Sequence, residues 1–337
     1  MPTLLQDKVF VFAGRPKPSD SELEILQLIA DQENLGQISS AETIKNGENY
    51  DSYKLTISGQ SFLAKLSLDE KNDFGQESLI LKEIPELSPK VISRGALDFG
   101  DSIYYLITEW LDAQSIQETG RSVLLESQDA LLASLAEIHK VNYPFTTFQE
   151  YLERLFKETS FENQESFELL VKTNSPNYLL LREELLAAKK EIQQNFKEIY
   201  ASKTLIHGNL SENSILVGRE GFKFINWENS FCAHPLFDLA AAEMNLSLGP
   251  HLEYSLVQKM GESWEFYLQV RDFWASVSLL KNVFGFIKEV YLYEGRRQKE
   301  LLELVEKFYQ NTKHYEKIET FKRNREEILS LFNQVAF

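Results

Sequence analysis

The stretch LIHGNLSENSILVGREGFKFINWENSF, Leu205 to Phe231, decides how the rest of the chain is read. Two short apolar runs lie on either side of Gly218 and predict a pair of short strands. A His-Gly-Asn triplet begins at His207, and Asn226 ends the second run. Both asparagines, Asn209 and Asn226, offer a neutral amide oxygen. Such an oxygen orients a hydroxyl or an amine but has no useful basicity.

Working outward, the residues upstream alternate between helix and strand signals. Ser19 and Glu22 form a capping-box start, and Leu23, Leu26, Ile29 and Ala30 then recur at helical spacing up to a stop at Gly36. Two alternating runs between Glu42 and Ser67 are joined by Ser58-Gly59-Gln60, a hairpin signal. Residues 73–84 read as helix, closed by Pro85 and Pro89. A second strand pair runs from Lys90 to Leu111 around Asp98-Phe99-Gly100, whose Asp and Gly suit a turn. Downstream, Ser127–Lys140 is an amphipathic helix and helical patterns fill 150–203. After Asp238 nearly everything reads as helix to Phe337, with breaks at Gly249-Pro250, Gly285 and Gly295. Strands early and helices late predict an α+β protein of two lobes, residues 1–110 and 111–337.

The bulk properties exclude several classes. With 43% hydrophobic residues and 23 Phe among 337, the chain has material for a substantial core. Thirty-five basic residues against 51 acidic ones give a net charge of −16, which argues against a nucleic-acid partner. A single cysteine, Cys232, excludes an intrachain disulfide and any Cys-rich zinc site. Residues 1–6 do not read as a secretory leader, and the apolar runs around Lys281 stop well short of a membrane span. A cytoplasmic protein with no membrane partner is expected, so the Asn-x-Ser matches at Asn209 and Asn245 are chance.

Six segments in order resemble the aminoglycoside phosphotransferase and choline kinase family, relatives of the protein kinases. They are FLAK (62–65), FGQESLILKEI (74–84), YYLITEWLDAQSI (104–116), LASLAEIH (132–139), HGNLSENSILV (207–217) and FKFINWENSFCAHPLFDLA (222–240). Each has a plain structural reading by itself; their order and spacing carry the resemblance. It implies a two-lobed kinase-like fold, with a small antiparallel-sheet lobe and a larger helical one. It implies that Lys65 meets the α- and β-phosphates of ATP and that Glu77 is its ion-pair partner. Thr108, Glu109, Trp110 and Leu111 fall where the adenine ring would pack. His207 and Asn209 fall in the catalytic loop (205–217), with His207 bracing it, and His139 and Asp238 match two further family positions. Ser214 and Asn226, the latter on the 222–231 strand segment, fall where Mg²⁺ would be held. Asp98-Phe99-Gly100 spells a kinase metal triplet, but it precedes His207 by roughly a hundred residues and is read as a turn.

At three of those positions the chain departs from the family. The catalytic loop there is His-Gly-Asp with Asn five residues after the Asp, and the metal strand ends Ile-Asp-Trp-Glu. Here the three are Asn209, Ser214 and Asn226. Loss of a general base lowers rates by about 10²–10⁴. Mg²⁺ is ordinarily held by one or two carboxylates with phosphate oxygens, which leaves the metal poorly held here. The resemblance therefore implies a pseudokinase that binds ATP weakly or without Mg²⁺. The alternative is an active hydroxyl phosphotransferase with Asn213 or Glu228 as displaced ligands. The ligand would be a small molecule. Glu262, Trp264, Glu265, Asp272 and Trp274 suit a cation, although core packing is the stronger reading of both tryptophans. A protein partner is left open.

Overall fold

The computed structural model describes residues 17–46, 50–98, 102–120, 122–141, 146–158, 176–219, 221–246, 248 and 250–292. They fall into two compact units. The first combines the residues up to Ser115 with Ile215–Glu228; the second holds Ile116–Ser214 and the residues from Asn229 onward.

In the first unit, helix α1 (Asp20–Gln32) starts at the expected box. Glu22 N–H donates to Ser19 Oγ at 3.3 Å, and Glu22 Oε2 accepts from Ser19 N–H at 2.6 Å. Strands β1 (Ile38–Asn46), β2 (Asp51–Ile57), β3 (Gln60–Ser67), β4 (Val91–Asp98) and β5 (Ser102–Glu109) form one antiparallel sheet in the order β1-β2-β3-β5-β4. The β2–β3 turn places Ser58 at φ 51° and Gly59 at φ 80°, the doubly left-handed turn that a two-residue hairpin favours. Beyond Asp98 and before Ser102 the turn itself lies outside the described residues, but these two flanking residues pair.

Period-2 alternation then sorts the sheet into two faces. Tyr53, Leu55, Ile57, Ala64, Leu66, Ile103, Tyr105 and Ile107 pack with Leu26, Ile29 and Ala30 of α1 in one core. The other face carries Ser52 opposite Lys65, Lys65 opposite Leu106, and Leu63 opposite Thr108. Helix α2 (Gly75–Glu83) buries Glu77, Ile80 and Leu81. A second small sheet in this unit joins β6 (Gln114–Ser115), β8 (Ile215–Gly218) and β9 (Gly221–Phe224), so the two strands expected around Gly218 are present. Phe224 N–H donates to Leu87 O at 2.7 Å, tying β9 to the segment after α2.

The second unit is mainly helical. Its helices are α3 (Ile116–Thr119), α4 (Ser122–Glu126), α5 (Gln128–Ile138), α6 (Phe148–Glu158), α7 (Pro176–Asn195), α8 (Leu236–Leu246), α9 (Pro250–Lys259) and α10 (Trp264–Leu292). A two-strand ladder, β7 (Leu205–Ile206) with β10 (Phe231–Cys232), crosses its middle. The phenylalanine-rich composition is spent here: Phe148 lies 4.8 Å from Phe237, and Tyr151 stacks on Phe231 at 4.2 Å. Gly285 does not break the last helix, contrary to expectation. α10 runs through it, since an interior glycine costs a helix only about 1 kcal/mol. The patterns expected in 159–175 and 293–337 lie outside the described residues. No described helix is long and apolar enough to cross a membrane.

Candidate functional site

In the first unit the geometry converges on Lys65. Its Nζ donates to Glu77 Oε1 at 2.7 Å, and both side chains are nearly inaccessible, at 6% and 5%. Burial alone would push the ammonium's pKa down. The carboxylates of Glu77 and Glu228, with Tyr50, outweigh it, so the net shift is upward and Lys65 stays charged. Burial raises the Glu77 carboxyl, and the Lys65 ammonium opposes that rise. A buried pair of this kind is a positioned charge rather than a source of much stability.

Sequence reading did not single out Tyr50, which precedes β2. Its ring lies 4.7 Å from Lys65 Nζ, and its hydroxyl donates to Glu228 Oε1 at 3.3 Å. Its ring also packs edge-on against Phe74 at 5.9 Å. Burial pushes the Tyr50 hydroxyl pKa up, so it remains a donor. Glu228 therefore stands beside the lysine within this unit. Asn226, two residues earlier, adopts φ 67°, a left-handed conformation that asparagine tolerates.

The segment matched to adenine packing lies at the end of β5. Thr108 is buried, and its Oγ1 has no hydrogen-bond partner among the described residues. Glu109 Oε1 accepts from Lys90 N–H at 2.8 Å. Trp110 donates its N–H to Ser61 O at 3.2 Å, and Lys54 Nζ sits 4.4 Å from its ring centre. Leu111 is partly exposed.

The second unit carries the His-Gly-Asn loop, and Asp238 at the start of α8 holds it. The fully buried Asp238 accepts the N–H of His207 at 3.0 Å and of Gly208 at 2.9 Å. His139 Nε2 approaches the same carboxylate at 3.1 Å. Gly208 is required twice over: its φ is 72°, and a Cβ there would meet Asn229 O at 2.5 Å. His207 is itself buried, which fits a bracing role. Asn245, another residue that sequence reading passed over, steadies the loop by donating to Leu210 O at 2.8 Å, with Asn209 Oδ1 at 3.5 Å.

Ser214 is buried and committed to the loop's own backbone. Its Oγ accepts from Ser211 N–H at 2.7 Å and faces the carbonyls of Ser211 and Asn209 at 3.1 and 3.2 Å. Asn213 beside it is exposed. Asn226 thus offers one neutral amide oxygen, and the Ser214 hydroxyl is already engaged; neither supplies the negative charge with which a carboxylate holds Mg²⁺. Among the described residues no group of three or more His, Cys, Asp or Glu side chains could hold a metal.

On the late helices, Trp274 belongs to the core, stacked near Tyr151 at 6.4 Å, while Asp272 and Glu265 are exposed. Trp264 is half-buried between Tyr254 and Tyr267. Glu262 lies 3.4 Å from His234. These five residues do not converge on one cation cage.

Comparison with solved structures finds the same architecture. Spectinomycin phosphotransferase APH(9)-Ia, solved with ADP and spectinomycin, is 14% identical with a TM-score of 0.56, over 95% of this chain and 99% of that one. A thermostable mutant of aminoglycoside phosphotransferase APH(4)-Ia, solved with AMP-PNP and hygromycin B, is 11% identical with a TM-score of 0.55, over 93% and 97%. Choline kinase LicA from Streptococcus pneumoniae is 15% identical with a TM-score of 0.55, over 78% and 91%. At such identities the likeness speaks for the fold, which is protein-kinase-like. No curated protein matches the chain. The model of the phosphotransferase enzyme family matches residues 40–267, more than half the chain, from β1 through the Lys65–Glu77 pair and the Asp238-held loop into α10. The chain belongs to the phosphotransferase enzyme family.

Proposed function

We propose that this protein binds an adenine nucleotide in the kinase manner but does not transfer its phosphoryl group: a pseudokinase of the phosphotransferase enzyme family. One observation carries the reading. The phosphate-binding half of the machinery, Lys65 held by Glu77 at 2.7 Å, is built and buried, whereas the matched base and metal positions hold Asn209, Ser214 and Asn226. Phosphoryl transfer rests on positioning and charge neutralisation, and an amide can neither take a proton nor supply a metal's missing charge. Nucleotide binding is further supported by relatives solved with ADP and with AMP-PNP. The displaced-ligand alternative is weaker. Glu228 is engaged by the Tyr50 hydroxyl beside Lys65, and Asn213 is exposed next to a serine that caps its own loop. The second ligand is a small molecule, as spectinomycin and hygromycin B are for the relatives, in a cytoplasmic protein.

The test is thermal unfolding with ATP, with and without Mg²⁺, alongside a turnover assay. Ligand at a hundredfold its Kd stabilises by about 2.7 kcal/mol, which is readily seen. The expected outcome is a rise in Tm that Mg²⁺ changes little, and no ATP turnover above a Lys65→Ala control. Turnover lost on Glu228→Gln would establish the active kinase instead.

A further inference from the structure

In this fold Lys65 is the group that a nucleotide's phosphates must reach, yet the chain itself surrounds it. Glu77 Oε1 takes one direction at 2.7 Å, and the Tyr50 ring takes another at 4.7 Å. An ammonium over an aromatic face is held electrostatically, so Tyr50 competes for the charge a phosphate would use. Two further contacts keep Tyr50 there. Its hydroxyl bonds Glu228 Oε1 at 3.3 Å, and its ring packs on Phe74 with the planes at 74°. Phe74 is buried and takes φ 59°, ψ 15°, a left-handed conformation that an aromatic residue rarely adopts, at the head of the helix that carries Glu77. Tyr50 itself is only 7% exposed. Glu228 and Glu77 also place two carboxylates where an incoming phosphate would add more negative charge.

Resting on the nucleotide-binding reading above, we infer that Tyr50 determines the ligand class of this site. With Tyr50 in place an adenine nucleotide is held by its nucleoside part alone, because Lys65 is closed to its phosphates. A nucleotide's phosphates gain Lys65 only when Tyr50 leaves it. A ligand that requires a minor arrangement binds with an affinity reduced by that arrangement's population. ATP therefore carries a penalty that adenosine does not.

The experiment is calorimetric titration of ATP and of adenosine into the full chain, its Tyr50→Ala and Tyr50→Phe variants, and Tyr50→Ala with Lys65→Ala. Reactivity of the Lys65 amine toward an acylating reagent, read by mass spectrometry, accompanies it. The unmodified protein is expected to bind adenosine within about threefold of ATP. Tyr50→Ala should tighten ATP by about tenfold and leave adenosine within about twofold. Tyr50→Phe, which keeps the ring and loses the bond to Glu228, should gain less and controls for any misfolding of the alanine variant. The added Lys65→Ala change should abolish the gain. Lys65 should be protected in the unmodified protein and at least about threefold more reactive in Tyr50→Ala, as expected when a covering group is removed. Unchanged or weaker ATP binding in Tyr50→Ala, with nucleotide still bound, would overturn the inference while leaving nucleotide binding intact. Equal protection of Lys65 in both proteins would overturn it independently of any ligand. If neither adenosine nor ATP binds any variant although Lys65 becomes reactive, the nucleotide reading fails and the ligand-class assignment falls with it.

Discussion

At the residue scale, two side chains, one in each unit, differ in how visible they were in the sequence. Asp238 could be read from its place in a motif, and the structure gives it the backbone N–H groups of His207 and Gly208 to hold. Tyr50 could not be read, because nothing local marks a tyrosine that acts through a lysine fifteen positions later in the neighbouring strand. Its role arises from strand register, which a linear pattern does not contain. Gly208 allows a quantitative check. Gly59 shares its left-handed backbone at φ 80° but would carry a Cβ into open space, so Gly59→Ala isolates the conformational penalty, about 1 kcal/mol. Gly208→Ala adds a 2.5 Å approach to the backbone oxygen of Asn229 and a 2.9 Å approach to the buried ring of Phe231. It should lower stability by about 3 kcal/mol or more, the regime of strain plus overpacking. Urea midpoints measured for both variants decide it; equal shifts would mean that the loop relaxes around the added methyl.

At the scale of elements, the signals that succeeded were those whose physics is local. The capping box at Ser19, the hairpin at Ser58-Gly59 and the alternation of β2 are each set within a few residues, and each appears where expected. Gly285 misled because an interior glycine costs only about 1 kcal/mol, too little by itself to end a helix of 29 residues. The box at α1 also does more than cap. Glu22 Oε1 accepts from the Tyr53 hydroxyl at 2.8 Å, joining the helix start to the sheet core. Ser19→Ala should therefore cost about 1 kcal/mol, the usual loss of a cap. Glu22→Ala should cost about 2 kcal/mol, since it also leaves the phenol of the buried Tyr53 without its acceptor. Chemical denaturation of the two variants distinguishes them, and a larger effect of Ser19→Ala would show that the Tyr53 contact contributes nothing.

For the whole molecule, the fold was legible at an identity of 10–15% to solved relatives because the family's signature lies in the order of short motifs, not in their surroundings. The same sparseness hides function, since the reading proposed above turns on three positions among 337, Asn209, Ser214 and Asn226. Those positions are split between the compact units: Asn226 in the first, Asn209 and Ser214 in the second. Base, metal ligands and phosphate-binding groups act together in phosphoryl transfer, and groups acting together are strongly non-additive. Asn209→Asp alone should restore almost nothing, because a base without a placed metal has no activated phosphate to serve. Asn226→Asp alone should make ATP binding depend on Mg²⁺ without turnover; the left-handed backbone at φ 67° tolerates aspartate as it does asparagine. Ser214→Asn should by itself lower stability by about 1 kcal/mol, since the hydroxyl it removes caps Ser211 N–H. Only the protein with all three changes should hydrolyse ATP slowly, with water as acceptor and in a Mg²⁺-dependent manner that Lys65→Ala abolishes. Turnover by Asn209→Asp alone would show that a metal was already held, and the pseudokinase reading would fall.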